Sequence, residues 1–142
     1  MNASRVCVAM AAALAMGLSY GVVHAQDKTV WDGVYSDAQA KRGEALFADK
    51  CSMCHGADLS GVDGPSLVGS EFSGNWDDLS LGDLAERIRV SMPQDNPQSL
   101  TRDQVADLVA FILSRNRMPA GQADLPGQAE PLKAIKYKAN KP

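Results

Sequence analysis

The sequence predicts an all-α domain: three main helices joined by loops. Two observations carry that prediction. Ser36/Gln39, Ser80/Asp83 and Thr101/Gln104 each place a hydroxyl three residues before an acceptor side chain, the pattern of a capping box at a helix start. Between the helices the chain is rich in Gly, Pro, Ser and Asp, and no stretch alternates convincingly as a strand.

The first helix opens at Ser36 and runs to about Lys50. Ala40, Gly43 and Phe47 share one face by their i, i+3, i+4 spacing. A glycine inside a helix costs about 1 kcal/mol against alanine, so Gly43 marks a place where another helix comes close. Residues 56–74 read as loop, with Gly64-Pro65-Ser66-Leu67 standing out as a turn. The second helix follows Ser80. Leu81, Leu84, Ala85 and Ile88 form its apolar face, and it ends near Val90, because a residue preceding proline disfavours the helical region and Met92 precedes Pro93. Residues 93–97 then hold the chain extended. The third helix begins at Thr101, with Val105, Leu108, Val109 and Ile112 as its stripe and Phe111 at the border. Arg115 and Arg117 sit in its last turn, favourably placed for the helix dipole, before Met118-Pro119 ends it.

The chain divides into a signal peptide (residues 1–25), an arm (26–35), the helical domain (36–118) and a C-terminal tail (119–142). In the first segment Arg5 precedes an apolar run of 13 residues, Val6 to Leu18, and Val23-His24-Ala25 offers small residues at a cleavage site. The run is short of the ~20 residues that span a bilayer, so a cleaved export signal, not a membrane anchor, is expected. No transmembrane segment remains after cleavage. Cys7 leaves with the peptide. In the arm, Trp31 and Tyr35 read as covers for apolar surface. Beyond residue 118 Pro, Gly, Gln and Lys dominate, and little regular structure is expected.

The 142 residues carry a net charge of −3, which becomes −4 once Arg5 is removed with the signal. Residues 26–130 hold 9 Lys and Arg against 17 Asp and Glu, while residues 131–142 hold four lysines and no acid. An acidic body argues against nucleic acid as a partner. The basic tail reads as a solvated terminus or a clip for an anionic partner.

The chemistry lies in Cys51-Ser52-Met53-Cys54-His55. Two thiols three positions apart can each add to a vinyl group of one haem, and the imidazole that follows becomes the proximal iron ligand. One covalently attached haem c is therefore the expected cofactor. A bare C-x-x-C also serves zinc sites and thiol oxidoreductases. The processed chain, however, has no further Cys or His to complete a zinc site, and no βαβ pattern surrounds the motif. Without a structural disulfide, the haem itself must staple a small core.

After cleavage His55 is the only histidine, so a second histidine ligand within the chain is excluded. Met53 lies inside the attachment loop, on the proximal side. Met92 and Met118 both precede a proline. Met92 sits between two capped helices, whereas Met118 starts the tail, so position favours Met92 as the sixth ligand. Met118 and an open site are the alternatives. A thioether favours ferrous iron and raises the potential.

Over roughly residues 36–118 the chain resembles class I cytochromes c. Gly43, Phe47 and Cys51-Ser52-Met53-Cys54-His55 match that family's first helix and attachment site in order, and Leu108-Val109-Ala110-Phe111-Ile112 is similar to its last helix. The resemblance implies the cytochrome c fold, with the three helices wrapped around the haem and Gly43 making room for Phe111. It also implies that Pro65 offers its carbonyl to His55, that Leu67 packs on the haem, and that Met92-Pro93 is the distal ligand loop. Trp76, Arg87 and Arg89 are candidate donors to the haem propionates. The stretch Arg87-Ile88-Arg89-Val90-Ser91-Met92-Pro93, with Pro97-Gln98-Ser99-Leu100, is similar to small bacterial cytochromes associated with periplasmic quinoprotein dehydrogenases.

What this implies is a periplasmic electron carrier without substrate chemistry of its own. Its redox partners would be a periplasmic quinoprotein dehydrogenase and a terminal oxidase or another cytochrome. A cytochrome subunit of a dehydrogenase or oxidase complex, an open-site haem sensor or enzyme, and a haemless thiol oxidoreductase are the competing readings. An exposed apolar patch on the arm or tail would favour the subunit.

Overall fold

The computed structural model describes residues 28–142. The signal peptide expected over residues 1–25 and the first two residues of the arm lie outside the described residues. In chain order the elements are β1 (Lys28–Thr29), a 3-10 turn (Val30–Asp32), α1 (Asp37–Lys50), α2 (Ser52–His55), α3 (Gly69–Trp76), α4 (Leu81–Ser91), α5 (Arg102–Arg115), α6 (Ala129–Lys133) and β2 (Ile135–Lys136). Among the described residues no helix is long and apolar enough to cross a membrane.

The three expected helices form where their caps lie. Ser80 and Thr101 make complete capping boxes with Asp83 and Gln104. Ser36 caps α1 by accepting from the Gln39 N–H at 3.1 Å, but the Gln39 side chain does not return the bond. It is buried and pairs with Leu125 in both directions: Nε2 donates to the Leu125 carbonyl at 3.0 Å, and Oε1 accepts from the Leu125 N–H at 2.7 Å. At the other end of α5, Arg117 lies beyond the last turn, with φ 63°, and only Arg115 stands at the helix dipole.

α1 and α5 cross against each other and form the centre of the core. At the crossing a Cβ on Gly43 would lie 1.9 Å from the Asp107 carbonyl oxygen and 2.8 Å from the Phe111 Cβ. Gly43 thus makes room for Phe111, as expected, and still more for the backbone of α5. Phe47 and Phe111 meet with ring centroids 5.3 Å apart, and Phe111, beside the stripe of α5, is buried in the core with it.

Two expectations of irregular chain are corrected. Residues 69–76, within and just beyond the expected loop, form α3, which buries Phe72. No side chain caps its start at Val68, which is why the local sequence carries no helix signal. The tail, expected to have little structure, is folded. Leu125, Leu132, Ile135 and Tyr137 are buried in the same core as Val30, Val34 and Tyr35 of the arm. α6 packs on α4, where a Cβ on Gly82 would come 2.7 Å from the Lys133 Cγ. β2 pairs in parallel with β1 in the register Lys28 to Ile135, Thr29 to Lys136. The Trp31 indole N–H donates to the Lys138 carbonyl at 2.9 Å, and Tyr137 shares a 2.9 Å hydroxyl bond with Ser73. Two of the four tail lysines pair with acids: Lys133 with Glu130 at 2.8 Å within α6, and Lys138 with Asp78 of the helical domain.

Candidate haem site

α1 delivers the attachment motif. Cys51 closes its last turn, donating from its N–H to the Phe47 carbonyl at 2.9 Å. The Cys51 carbonyl then accepts from Cys54 at 3.2 Å and His55 at 2.9 Å, winding residues 52–55 into α2. Cys51 is half-buried and Cys54 exposed. Burial first, then Asp49 and Cys54, push the Cys51 thiol up to about 11.

His55 is buried. Its Nδ1 lies 2.8 Å from the Pro65 carbonyl oxygen. A carbonyl oxygen only accepts, so Nδ1 carries a proton, and in the neutral ring the lone pair is then on Nε2. That is the tautomer a metal-binding imidazole needs, with its ring fixed by the bond behind it.

The loop that carries Pro65 is tied directly to the motif. Gly61 donates to the His55 carbonyl at 2.8 Å, and both Val62 and Gly64 donate to the Cys54 carbonyl at 2.9 Å. At Gly64 a Cβ would sit 2.9 Å from His55 Cε1 and 3.0 Å from Nδ1, so only glycine lets the loop close on the imidazole. These features fit a covalently held haem: one outward thiol, one at the end of a packed helix, and an imidazole turned with Nε2 unblocked by its carbonyl partner.

The two candidate methionine ligands lie in different settings. Met92 is half-buried at the C-cap of α4, in extended conformation, and donates from its N–H to the Ile88 carbonyl at 2.9 Å. Its peptide bond to Pro93 is cis. Met118 is buried in the core at 4 % exposure. Its carbonyl accepts from the Tyr35 hydroxyl at 2.6 Å, and its N–H donates to the Leu113 carbonyl at 3.1 Å. Met53 is 85 % exposed.

The remaining candidates are placed as follows. Pro65 is exposed around its engaged carbonyl, and Leu67 is half-buried. Trp76 is half-buried against Phe72, with ring centroids 6.2 Å apart. Arg87 is exposed on α4. Arg89 is engaged by Glu86 in a paired hydrogen bond of 2.8 and 2.7 Å. Sequence reasoning missed Asn116, which caps α5 and whose side chain reaches Leu67 and Gly69. An asparagine just past a helix is a common C-terminal residue, and no local signal announces a bond to residues so far back in the chain.

Residues 38–112 match the family described as cytochrome c oxidase, cbb3-type, subunit III. The chain is 32 % identical over 93 residues to cytochrome c-551 of Bacillus subtilis (strain 168), covering 66 % of this chain and 78 % of that protein. It is also similar to a chain of the crystal structure of the sulfane dehydrogenase SoxCD from Paracoccus pantotrophus, at 25 % identity and a TM-score of 0.45. That match spans 66 % of this chain and 55 % of the other.

Proposed function

This chain belongs to the cytochrome c family, as a small class I member with a covalently bound haem c, and on that premise we propose that it is a periplasmic single-electron carrier with His55 and Met92 as axial ligands. Haem c supplies the ferric/ferrous couple. The chain's own residues set its terms. Cys51 and Cys54 hold the group by thioether bonds, and Pro65 fixes the His55 ring and keeps its proton on Nδ1. The Met92 thioether, as a soft donor, favours the ferrous state. Leu67 and Trp76 are proposed as pocket walls. Arg87 and Arg89 are proposed propionate donors, the latter only by giving up Glu86.

The observation that carries the ligation is the 2.8 Å contact between His55 Nδ1 and the Pro65 carbonyl. Met92 is the proposed sixth ligand, and the burial of Met118 in the core supports that choice.

Electron delivery from a periplasmic dehydrogenase, such as a quinoprotein, to a terminal oxidase or another cytochrome is the proposed role. Work as a free carrier is supported by the surface. Among the described residues the exposed large apolar side chains are Met53, Val62, Leu79 and Val90, none of them in the arm or the tail. Redox encounters use interfaces under ~1,200 Å².

The test is an absorption spectrum of the purified protein, oxidised and dithionite-reduced, beside Met92→Ala. The expected wild type is low-spin, with a weak far-red sulfur-to-iron band that the variant loses. A high-spin wild type that binds carbon monoxide and is unchanged by the substitution would overturn the carrier reading in favour of ligand binding.

A further inference from the structure

The Asn116 side chain reaches three backbone groups, one in α5 itself and two in the segment that leads into α3. Nδ2 donates to the Leu67 carbonyl at 2.9 Å and to the Ile112 carbonyl at 2.9 Å. Oδ1 accepts from the Gly69 N–H at 3.2 Å. Two carbonyl acceptors and one N–H donor leave a single assignment for the amide.

Each bond fills a specific gap. Gly69 opens α3, whose first N–H groups have no partner in their own helix, and Val68 supplies no side-chain cap. Asn116 supplies the missing acceptor from another helix. Leu67 is two residues from Pro65, and its own N–H donates to the Leu59 carbonyl at 2.9 Å. Between them the Ser66 hydroxyl reaches the Val68 carbonyl at 2.9 Å. Among the described residues, Asn116 gives the side-chain hydrogen bonds that tie segment 65–69 to α5 and its caps, while Leu67 and Val68 also pack against the core. α5 in turn packs closely on α1, the helix that ends in Cys51.

We propose that Asn116 is a positioning residue of the haem site: it fixes the Pro65 carbonyl against His55 by clamping Leu67 and Gly69 to the end of α5. The inference rests on His55 as proximal ligand. A firm acceptor behind a ligating imidazole makes that ligand more electron-rich and stabilises the ferric ion. Loosening the clamp weakens the bond from His55 Nδ1 to Pro65 and raises the reduction potential.

The experiment compares the haem-loaded wild type with Asn116→Ala, Asn116→Asp and Thr101→Ala. Asn116→Asp keeps an acceptor for Gly69 but loses both donated bonds. Thr101→Ala removes the cap at the opposite end of α5 and serves as the control for general loosening. Midpoint potential is measured by titration, and proton exchange at His55 Nδ1 and the Gly69 amide by NMR of the reduced protein. Expected are an upward potential shift and faster His55 Nδ1 exchange in both Asn116 variants. The Gly69 amide should lose protection in Asn116→Ala only. Thr101→Ala should lower the melting temperature and leave the potential in place. Unchanged potential and exchange in both Asn116 variants, or an equal shift in Thr101→Ala, would overturn the proposal. Should neither Asn116 variant hold haem, the wild type decides: slow exchange at both the Asn116 amide and His55 Nδ1 supports the clamp, and a fast-exchanging Asn116 amide overturns it. A wild type without a ligated His55 overturns the proposed ligation and the clamp together.

Discussion

The Tyr35 hydroxyl donates a 2.6 Å bond to the Met118 carbonyl across 83 residues of sequence, and both side chains are buried. This bond joins the arm to the end of α5 and holds the Met118 backbone in the core. Met118→Leu is therefore expected to act as a volume-conserving core change, costing less than about 1.5 kcal/mol and leaving the absorption spectrum unchanged. Met92→Leu is expected to do the reverse, with a changed spectrum and little loss of folding beyond that of the iron bond. Spectra and urea unfolding of the two variants distinguish them, and a spectral change confined to Met118→Leu would reassign the ligand.

Gly43 has no room for a methyl group. With the Asp107 carbonyl oxygen 1.9 Å from the added atom, Gly43→Ala must drive α1 and α5 apart. The expected cost is about 3 kcal/mol or more, at the upper end of overpacking, despite alanine's higher helix propensity. Urea unfolding of the haem-bound protein measures it. Gly74, where a Cβ would meet nothing within 4 Å, is the paired control and should gain stability as alanine.

The tail is part of the core. Leu132 is 2 % exposed, and Leu132→Ala should cost about 2–5 kcal/mol, as much as a residue within the central helices. A thermal or urea midpoint equal to that of wild type would show the tail to be dispensable.

Acid should weaken the start of α4 through Asp83. Its carboxylate accepts from the Ser80 hydroxyl at 2.7 Å and the Ser80 N–H at 3.0 Å. The hydroxyl bond first, then the backbone bond, hold it below its usual value of 3.8. A lowered folded-state pKa gives stability that is present above the unfolded value and lost as pH falls through the folded one. The stability gap between wild type and Asp83→Asn is therefore expected to be constant near neutral pH and to shrink below about pH 4. Unfolding curves at a series of pH values check this.

What was legible in the sequence was local. Ser80 with Asp83 and Thr101 with Gln104 announce their helices because cap and acceptor are three residues apart. The attachment motif spans only residues 51–55, and the bond from His55 to the Pro65 carbonyl, ten positions on, was implied by the family resemblance and not by the local sequence, where Gly64-Pro65 reads as a turn. Gln39 shows the limit: it stands where a capping-box partner belongs, yet its amide is taken by Leu125, 86 positions away. The tail went unread for the same reason. Its anchors, Gln39 with Leu125, Trp31 with Lys138 and Ser73 with Tyr137, are all long-range, and Leu125, Leu132, Ile135 and Tyr137 sustain no single period over more than two residues. α3 lacks a cap of its own because Asn116 provides one from across the fold.

The pairing of β1 with β2 has a mechanical consequence. The two strands run parallel, one near the first described residue and one near the last. A force drawing the two ends apart pulls them in opposite directions along their shared axis. The ladder is then loaded in shear, all its bonds at once, and not peeled open one bond at a time. A protein tethered at one end and tugged at the other would resist at this seam and at the bonds of Lys138 and Ala139 just beyond it, before any strain reached α1 and the thioether bonds at its end.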